Sequence, residues 1–188
     1  MNRVRTRTLQ TGDGADTGAA TARLCALPPV VRADTHLLIL GSFPGAASLR
    51  AQQYYAHPRN QLWPIIGALL GQPLPELPYS ERIRCLLDHR VGLWDVYASC
   101  HREGSLDTAI RDPVPNDLTG LLVRAPALRL VVHNGAESAR RMREIEALGF
   151  PALRLPSTSP ANARLGLEAK LALWREALAR AGVLPGGS

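Results

Sequence analysis

The chain has 188 residues, 46% of them hydrophobic and 20% charged, which suits one domain with its own core, and it carries a formal net charge of +6. No apolar run approaches about 18 residues and none follows Met1-Asn2-Arg3, so neither a membrane-spanning helix nor a secretory leader is expected. Cys25, Cys85 and Cys100 are odd in number, far apart and in no Cys-x-x-Cys pattern. They build neither a disulfide framework nor a four-cysteine metal or iron–sulfur site, and they fit a reducing cytoplasm.

Residues 1–22 are rich in Thr, Gly, Asp and Ala with no hydrophobic period. They are predicted to be a disordered tail, with a single domain over 23–184. Leu37 to Leu40 is a continuous apolar run, the pattern of a strand covered on both faces. Asn60 is placed to cap a helix running to Leu70, with Pro64 in its first turn. A second helix is predicted over Ser80 to His89 and a strand over Leu93 to Tyr97. Another strand covers Leu128 to Val132. A helix follows over Gly135 to Leu148, with Ala139, Met142 and Ile145 inward. Ala152 to Leu155 makes a fourth strand. The last helix spans Gly166 to Ala181, with Leu167, Leu171, Trp174 and Leu178 on one stripe. This alternation predicts an α/β fold with a largely parallel sheet between helices. Ligands in such folds bind beyond the carboxyl ends of the strands. The loops there are also where the unusual polar residues collect.

Three segments carry that chemistry. Gly41-Ser42-Phe43-Pro44-Gly45 lets backbone N–H groups approach a ligand and adds a stiff apolar wall. It matches no Gly-rich dinucleotide fingerprint and no Walker loop. Tyr54-Tyr55-Ala56-His57-Pro58-Arg59-Asn60 offers aromatic faces that can stack on a base, and an amide that can orient a water or meet a developing charge. Pro156-Ser157-Thr158-Ser159-Pro160-Ala161-Asn162 sets three hydroxyls and an amide in a proline-stiffened loop, a form suited to phosphate oxygens. Each segment also has a plain structural reading: a turn, a helix cap with packed tyrosines, and a loop before the last helix. The positive charge permits a polyanion partner, although a high arginine content also follows from gene composition.

The order and spacing of these segments, together with Gly92-Leu93-Trp94-Asp95-Val96 and Gly104-Ser105-Leu106-Asp107, resemble the uracil-DNA glycosylase superfamily. They are most similar to its hypoxanthine-DNA glycosylase (DNA-deoxyinosine glycosylase) branch. The resemblance covers roughly residues 36 to 176. It implies a three-layer α/β/α sandwich around a four-stranded parallel sheet, and hydrolysis of the N-glycosidic bond of a flipped deaminated base. Much of the superfamily has Asp or Asn as the third residue of the first motif, where this chain has Phe43. The branch shifts that polar role to Asn60.

The residues expected to act are therefore Asn60 and His57 in catalysis. Gly41, Ser42, Phe43, Pro44 and Tyr55 are expected in the base pocket. Ser157, Thr158, Ser159, Pro160, Ala161 and Asn162 are expected on DNA. His57 is either a proton donor or a brace for its loop. Asp95, Asp107 and Asp112 are candidates for part of a site, although their spacing forms no metal cluster. His133 is structural or phosphate-facing. Neither a metal nor a cofactor is expected. The expected partner is damaged double- or single-stranded DNA, bound by a cytoplasmic monomer. Uracil or xanthine excision is the runner-up to hypoxanthine. A non-catalytic DNA-binding module and a nucleotide-binding oxidoreductase are the readings of other classes.

Overall fold

The computed structural model of the chain describes residues 22–162 and 165–184. The tail expected over 1–22 lies, up to residue 21, outside the described residues. The described residues open with a short strand β1 (Leu24–Cys25), then β2 (Leu37–Gly41), α1 (Ala46–Ala51), α2 (Leu62–Leu70) and α3 (Tyr79–Asp88). It continues through β3 (Val91–Asp95), β4 (Tyr97–His101), β5 (Arg111–Pro115), α4 (Leu118–Arg124) and β6 (Leu130–Asn134). It closes with α5 (Met142–Ala147), β7 (Ala152–Leu155) and α6 (Leu167–Arg180).

The predicted parallel sheet is present, with four strands in the order β3-β2-β6-β7. Every residue of β2, β3 and β6 is buried, which is why their sequences run apolar without alternation. From β2 the chain crosses to β3 on one flank, and from β3 it crosses to β6 on the other. Right-handed crossovers therefore put the α1–α3 connection on one face and the α4 and α5 connections on the opposite face. α6 returns to pack on α2, β6 and β7. The switch in direction lies between β2 and β6. There Gly41 pairs with Asp95 of β3, and Asn134 pairs with Leu155 of β7. The carboxyl edge of the sheet thus presents Asp95, Gly41, Asn134 and Leu155 side by side.

The structure departs from the sequence expectations in five places. The strand expected over Leu93 to Tyr97 is split at Val96. β3 ends at Asp95, and β4 leaves to form a second, antiparallel sheet in the order β1-β4-β5. β5 is exposed throughout, contains Pro113 and has Asp112 at φ 47°, so it shows no apolar period to find. The residue at the N-cap position of α2 is Gln61, because Asn60 sits one step earlier and its Oδ1 accepts the Leu62 N–H at 2.9 Å. This Asx turn satisfies the same orphan donor that a cap would. The helix expected from Gly135 starts later, as a 3-10 turn over Ser138–Arg141 that runs into α5. The Ser138 hydroxyl donates to Leu40 O, which holds that first turn against β2. Ile145 is buried as expected, whereas Ala139 and Met142 are half-buried. On α6, Trp174 and Leu178 face the core but Leu167 is exposed, and Lys170 lies buried on the inner side.

Candidate functional site

A cavity of about 330 Å³ opens over the switch point. The residues expected in catalysis, in the base pocket and on DNA all line it: Gly41 to Pro44, Tyr55, His57, Asn60, and Ser157 to Asn162. It is also lined by Asp95 and Asn134 from the strand ends, and by Ser105 to Thr108 from the β4–β5 connection. Asp112, grouped with Asp95 and Asp107 by sequence, sits on exposed β5 and is not part of this lining.

The two adjacent tyrosines divide their roles. Tyr54 is buried, donates from its hydroxyl to Leu27 O and Pro28 O at 3.2 and 3.1 Å, and accepts the Trp63 indole N–H on its carbonyl. That anchoring leaves Tyr55 to make the turn into the cavity at φ 55°, a left-handed conformation that costs about 1–3 kcal/mol for a side chain of this size. The Tyr55 hydroxyl is buried, near the Asn134 side-chain amide. Burial first, then the nearby Asp95 charge, raises its pKa. It therefore stays a neutral donor.

His57 and Asn60 are held by the loop itself. His57 Nδ1 accepts the Arg59 N–H at 3.2 Å, and His57 O accepts the Asn60 N–H at 2.8 Å. With its Oδ1 on Leu62 N–H, the Asn60 amide has a fixed orientation and keeps its NH2 group for the cavity it lines.

The third loop is fastened from behind. Asn134 and Thr158 bond reciprocally: Asn134 Nδ2 donates to Thr158 Oγ1 at 2.8 Å, and Thr158 N–H donates to Asn134 Oδ1 at 2.9 Å. Thr158 is fully buried, so of the three hydroxyls expected to face phosphate this one turns inward and shapes the loop. Ser157 and Ser159 each accept one backbone N–H and keep a hydroxyl hydrogen to give. Thr158 O accepts from Gln61 N–H at 3.0 Å. Lys170 then bridges both segments, donating to Gln61 Oε1 at 2.7 Å and Asn162 O at 3.0 Å. Sequence reasoning missed this ammonium; its one signal was a lone lysine on the apolar side of a helix. Gly135, at φ 115°, brings its bare Cα so close that an added Cβ would lie 3.1 Å from Ser157 Cβ.

The floor and one wall carry charge. Asp95 is 3% exposed, and its Oδ2 has no hydrogen-bond partner among the described residues. Burial, then the negative charge of Asp107, pushes its carboxyl up to about 7, against the pull of Arg102. Gly41 makes room for it: a Cβ there would lie 2.3 Å from Asp95 Oδ1 and 3.2 Å from the Tyr55 hydroxyl. Asp107, an exposed residue of the lining, accepts the Ser42 hydroxyl at 2.6 Å. Behind the wall, the buried Arg102 guanidinium lies 5.0 Å from the Phe43 ring centre and donates to Pro44 O. His133 belongs to the core. It is fully buried, and because Ser138 donates to Leu40 O, His133 Nδ1–H must donate to Ser138 Oγ. Burial holds it neutral, with its pKa lowered to about 4. Among the described residues no group of three His, Cys, Asp or Glu side chains is placed to hold a metal, and no helix is long and apolar enough to cross a membrane.

The family description of the uracil DNA glycosylase superfamily matches residues 28–179. The chain is 40% identical over 153 residues to the hypoxanthine DNA glycosylase of Methanosarcina barkeri, a match covering 81% of this chain and 96% of that protein. It is 39% identical over 137 residues to the hypoxanthine DNA glycosylase of Methanosarcina acetivorans, covering 73% and 87%. A solution NMR structure of a protein from Methanosarcina acetivorans, described as a candidate uracil DNA glycosylase, superposes with a TM-score of 0.74 at 35% identity, over 82% of this chain and 98% of that one. The matched region contains the parallel sheet, the loops and the cavity just described, and the chain belongs to the uracil DNA glycosylase superfamily.

Proposed function

We propose that this superfamily member is a DNA N-glycosylase that releases hypoxanthine from a flipped deoxyinosine. The observation that carries the reading is one cavity at the sheet's switch point, gathering the Asn60 amide, Tyr55 and the Gly41–Phe43 backbone beneath a pinned Ser/Pro rim. Two relatives at about 40% identity bear the name hypoxanthine DNA glycosylase, which supports that base over others.

A base inside a duplex is out of reach, so the nucleotide is extruded at a cost of a few kcal/mol, less for a mispaired one. The rim from Ser157 to Asn162 grips the backbone with the hydroxyl hydrogens of Ser157 and Ser159. Because Asn134, Gln61 and Lys170 already fix the loop, little ordering is lost on binding. Tyr55 stacks on the base. Cleavage leaves a cationic sugar and an electron-rich base, which preorganised dipoles stabilise. Phe43 supplies none. The Asn60 NH2 group does: with its oxygen committed to Leu62, it is a donor aimed at negative charge gathering on the base. The Arg59 N–H on His57 Nδ1 favours loop bracing over proton donation for His57.

The test is a panel of oligonucleotides carrying hypoxanthine, uracil, xanthine or thymine, opposite each base and single-stranded, scored for alkali-labile abasic sites. Hypoxanthine release is expected to be fastest. Release of uracil alone would move the protein to a uracil enzyme. No abasic product from any substrate would leave a DNA-binding module.

A further inference from the structure

One polar atom at the cavity floor, Asp95 Oδ2, has no partner among the described residues. It is buried, and such an orphan in a native fold calls for an occupant. Asp95 also flanks the bare Cα of Gly41, where any side chain would displace its carboxyl, so the fold keeps this carboxyl at the carboxyl edge of the sheet. Asn60 donates from the side of the cavity but has no proton to lose at neutral pH. A purine leaving group carries basic ring nitrogens, and its departure is eased by a proton.

We propose that Asp95 is a catalytic residue, the acid that donates a proton to the departing purine. The C1′–N9 bond breaks with its electron pair passing to the base. The Asp95 carboxyl proton moves to N7, so hypoxanthine leaves as a neutral molecule and Asp95 is left as carboxylate. Water adds to C1′ and gives up its second proton to solvent, and solvent returns one to Asp95. The proposal rests on the purine reading above.

The surroundings hold the acid form near neutral pH. Asp107 from the β4–β5 connection opposes ionisation and Arg102 from the same connection favours it. Tyr54 and Tyr55 from the α1–α2 connection and Tyr79 at the start of α3 also sense the Asp95 charge, and all three are themselves raised toward neutrality. Burial outweighs Arg102, and the group titrates at about 7.

The experiment measures single-turnover excision by the wild type and Asp95→Asn on deoxyinosine and on 7-deazadeoxyinosine, which has no N7 to protonate. A positioned proton donor contributes about 10²–10⁴-fold. Asp95→Asn is expected to slow deoxyinosine excision by at least about 100-fold. The expected loss on the deaza substrate is far smaller. The wild-type rate on deoxyinosine should fall about tenfold per pH unit above about 7, and the variant's profile should be flat. An unchanged rate in Asp95→Asn, equal losses on both substrates, or a wild-type profile without that fall overturns the acid role while hypoxanthine excision stands. A wild type that releases uracil and no hypoxanthine overturns both readings.

Discussion

Replacing Asp95 with Asn should change how stability depends on pH, independently of any activity. The Asp95 carboxyl is raised from 3.8 to about 7 because it is buried and faces Asp107. Between those values the folded protein holds a proton that the unfolded chain has released. Stability therefore falls as pH rises from about 4 to about 7, then levels. A shift of about three units corresponds to about 4 kcal/mol. His133 acts in the opposite sense. Its folded pKa is lowered from 6.5 to about 4, so its contribution is fully present above 6.5 and is lost as pH falls through about 4, with a span of about 3 kcal/mol. The two slopes oppose each other over the same window, and the wild type should be nearly flat from pH 4 to 6.5. Asp95→Asn removes one slope and exposes the other. Urea unfolding followed by tryptophan fluorescence suits the measurement, because Trp63, Trp94 and Trp174 are all buried. The variant should gain on the wild type by about 2 to 3 kcal/mol between pH 5 and pH 8. A gap that is constant with pH, or that shrinks as pH rises, would refute the burial of an acid at this position.

Asn60→Ala should lower single-turnover excision at least about tenfold, and by up to the 3 to 4 kcal/mol typical of one preorganised donor, with the circular dichroism spectrum unchanged; equal excision removes Asn60 from the chemistry. Lys170→Met strands Gln61 Oε1 and Asn162 O without their shared donor. The expected loss is about 2 to 4 kcal/mol, together with weaker binding to an uncleavable substrate analogue; a Tm equal to wild type would show the bridge to be dispensable. Excision should persist in excess chelator, and chelator sensitivity rescued by a divalent ion would contradict the donor set described for the cavity.

The parallel sheet was legible because fully buried strands leave continuous apolar runs, as in Leu37 to Leu40 and Leu130 to Val132. The cavity was legible because its loops follow those strands, and their Gly, Pro, Tyr and Asn residues are unusual in local sequence. What stayed hidden depends on long-range pairing. The second sheet takes β5 from an exposed polar segment, and only its register with β4 makes it a strand. Asp95 is one carboxylate among many until Gly41 is set beside it across the β2–β3 ladder. Lys170 and Gln61 are 109 residues apart, beyond any local pattern. Phe43 reads as an apolar stop in a motif, and only the structure sets the buried Arg102 guanidinium against its ring.

The burial of Lys170 also makes the protein its own reporter. It is the only lysine in the chain, so a lysine-specific protease has one internal target. That target lies in α6 with its ammonium engaged on both site loops. Cleavage must wait until α6 leaves α2 and the sheet, and its rate then measures the population of that opened form. DNA that clasps the loops should slow the cut, so one band on a gel would read both the opening of the helix and the occupancy of the site.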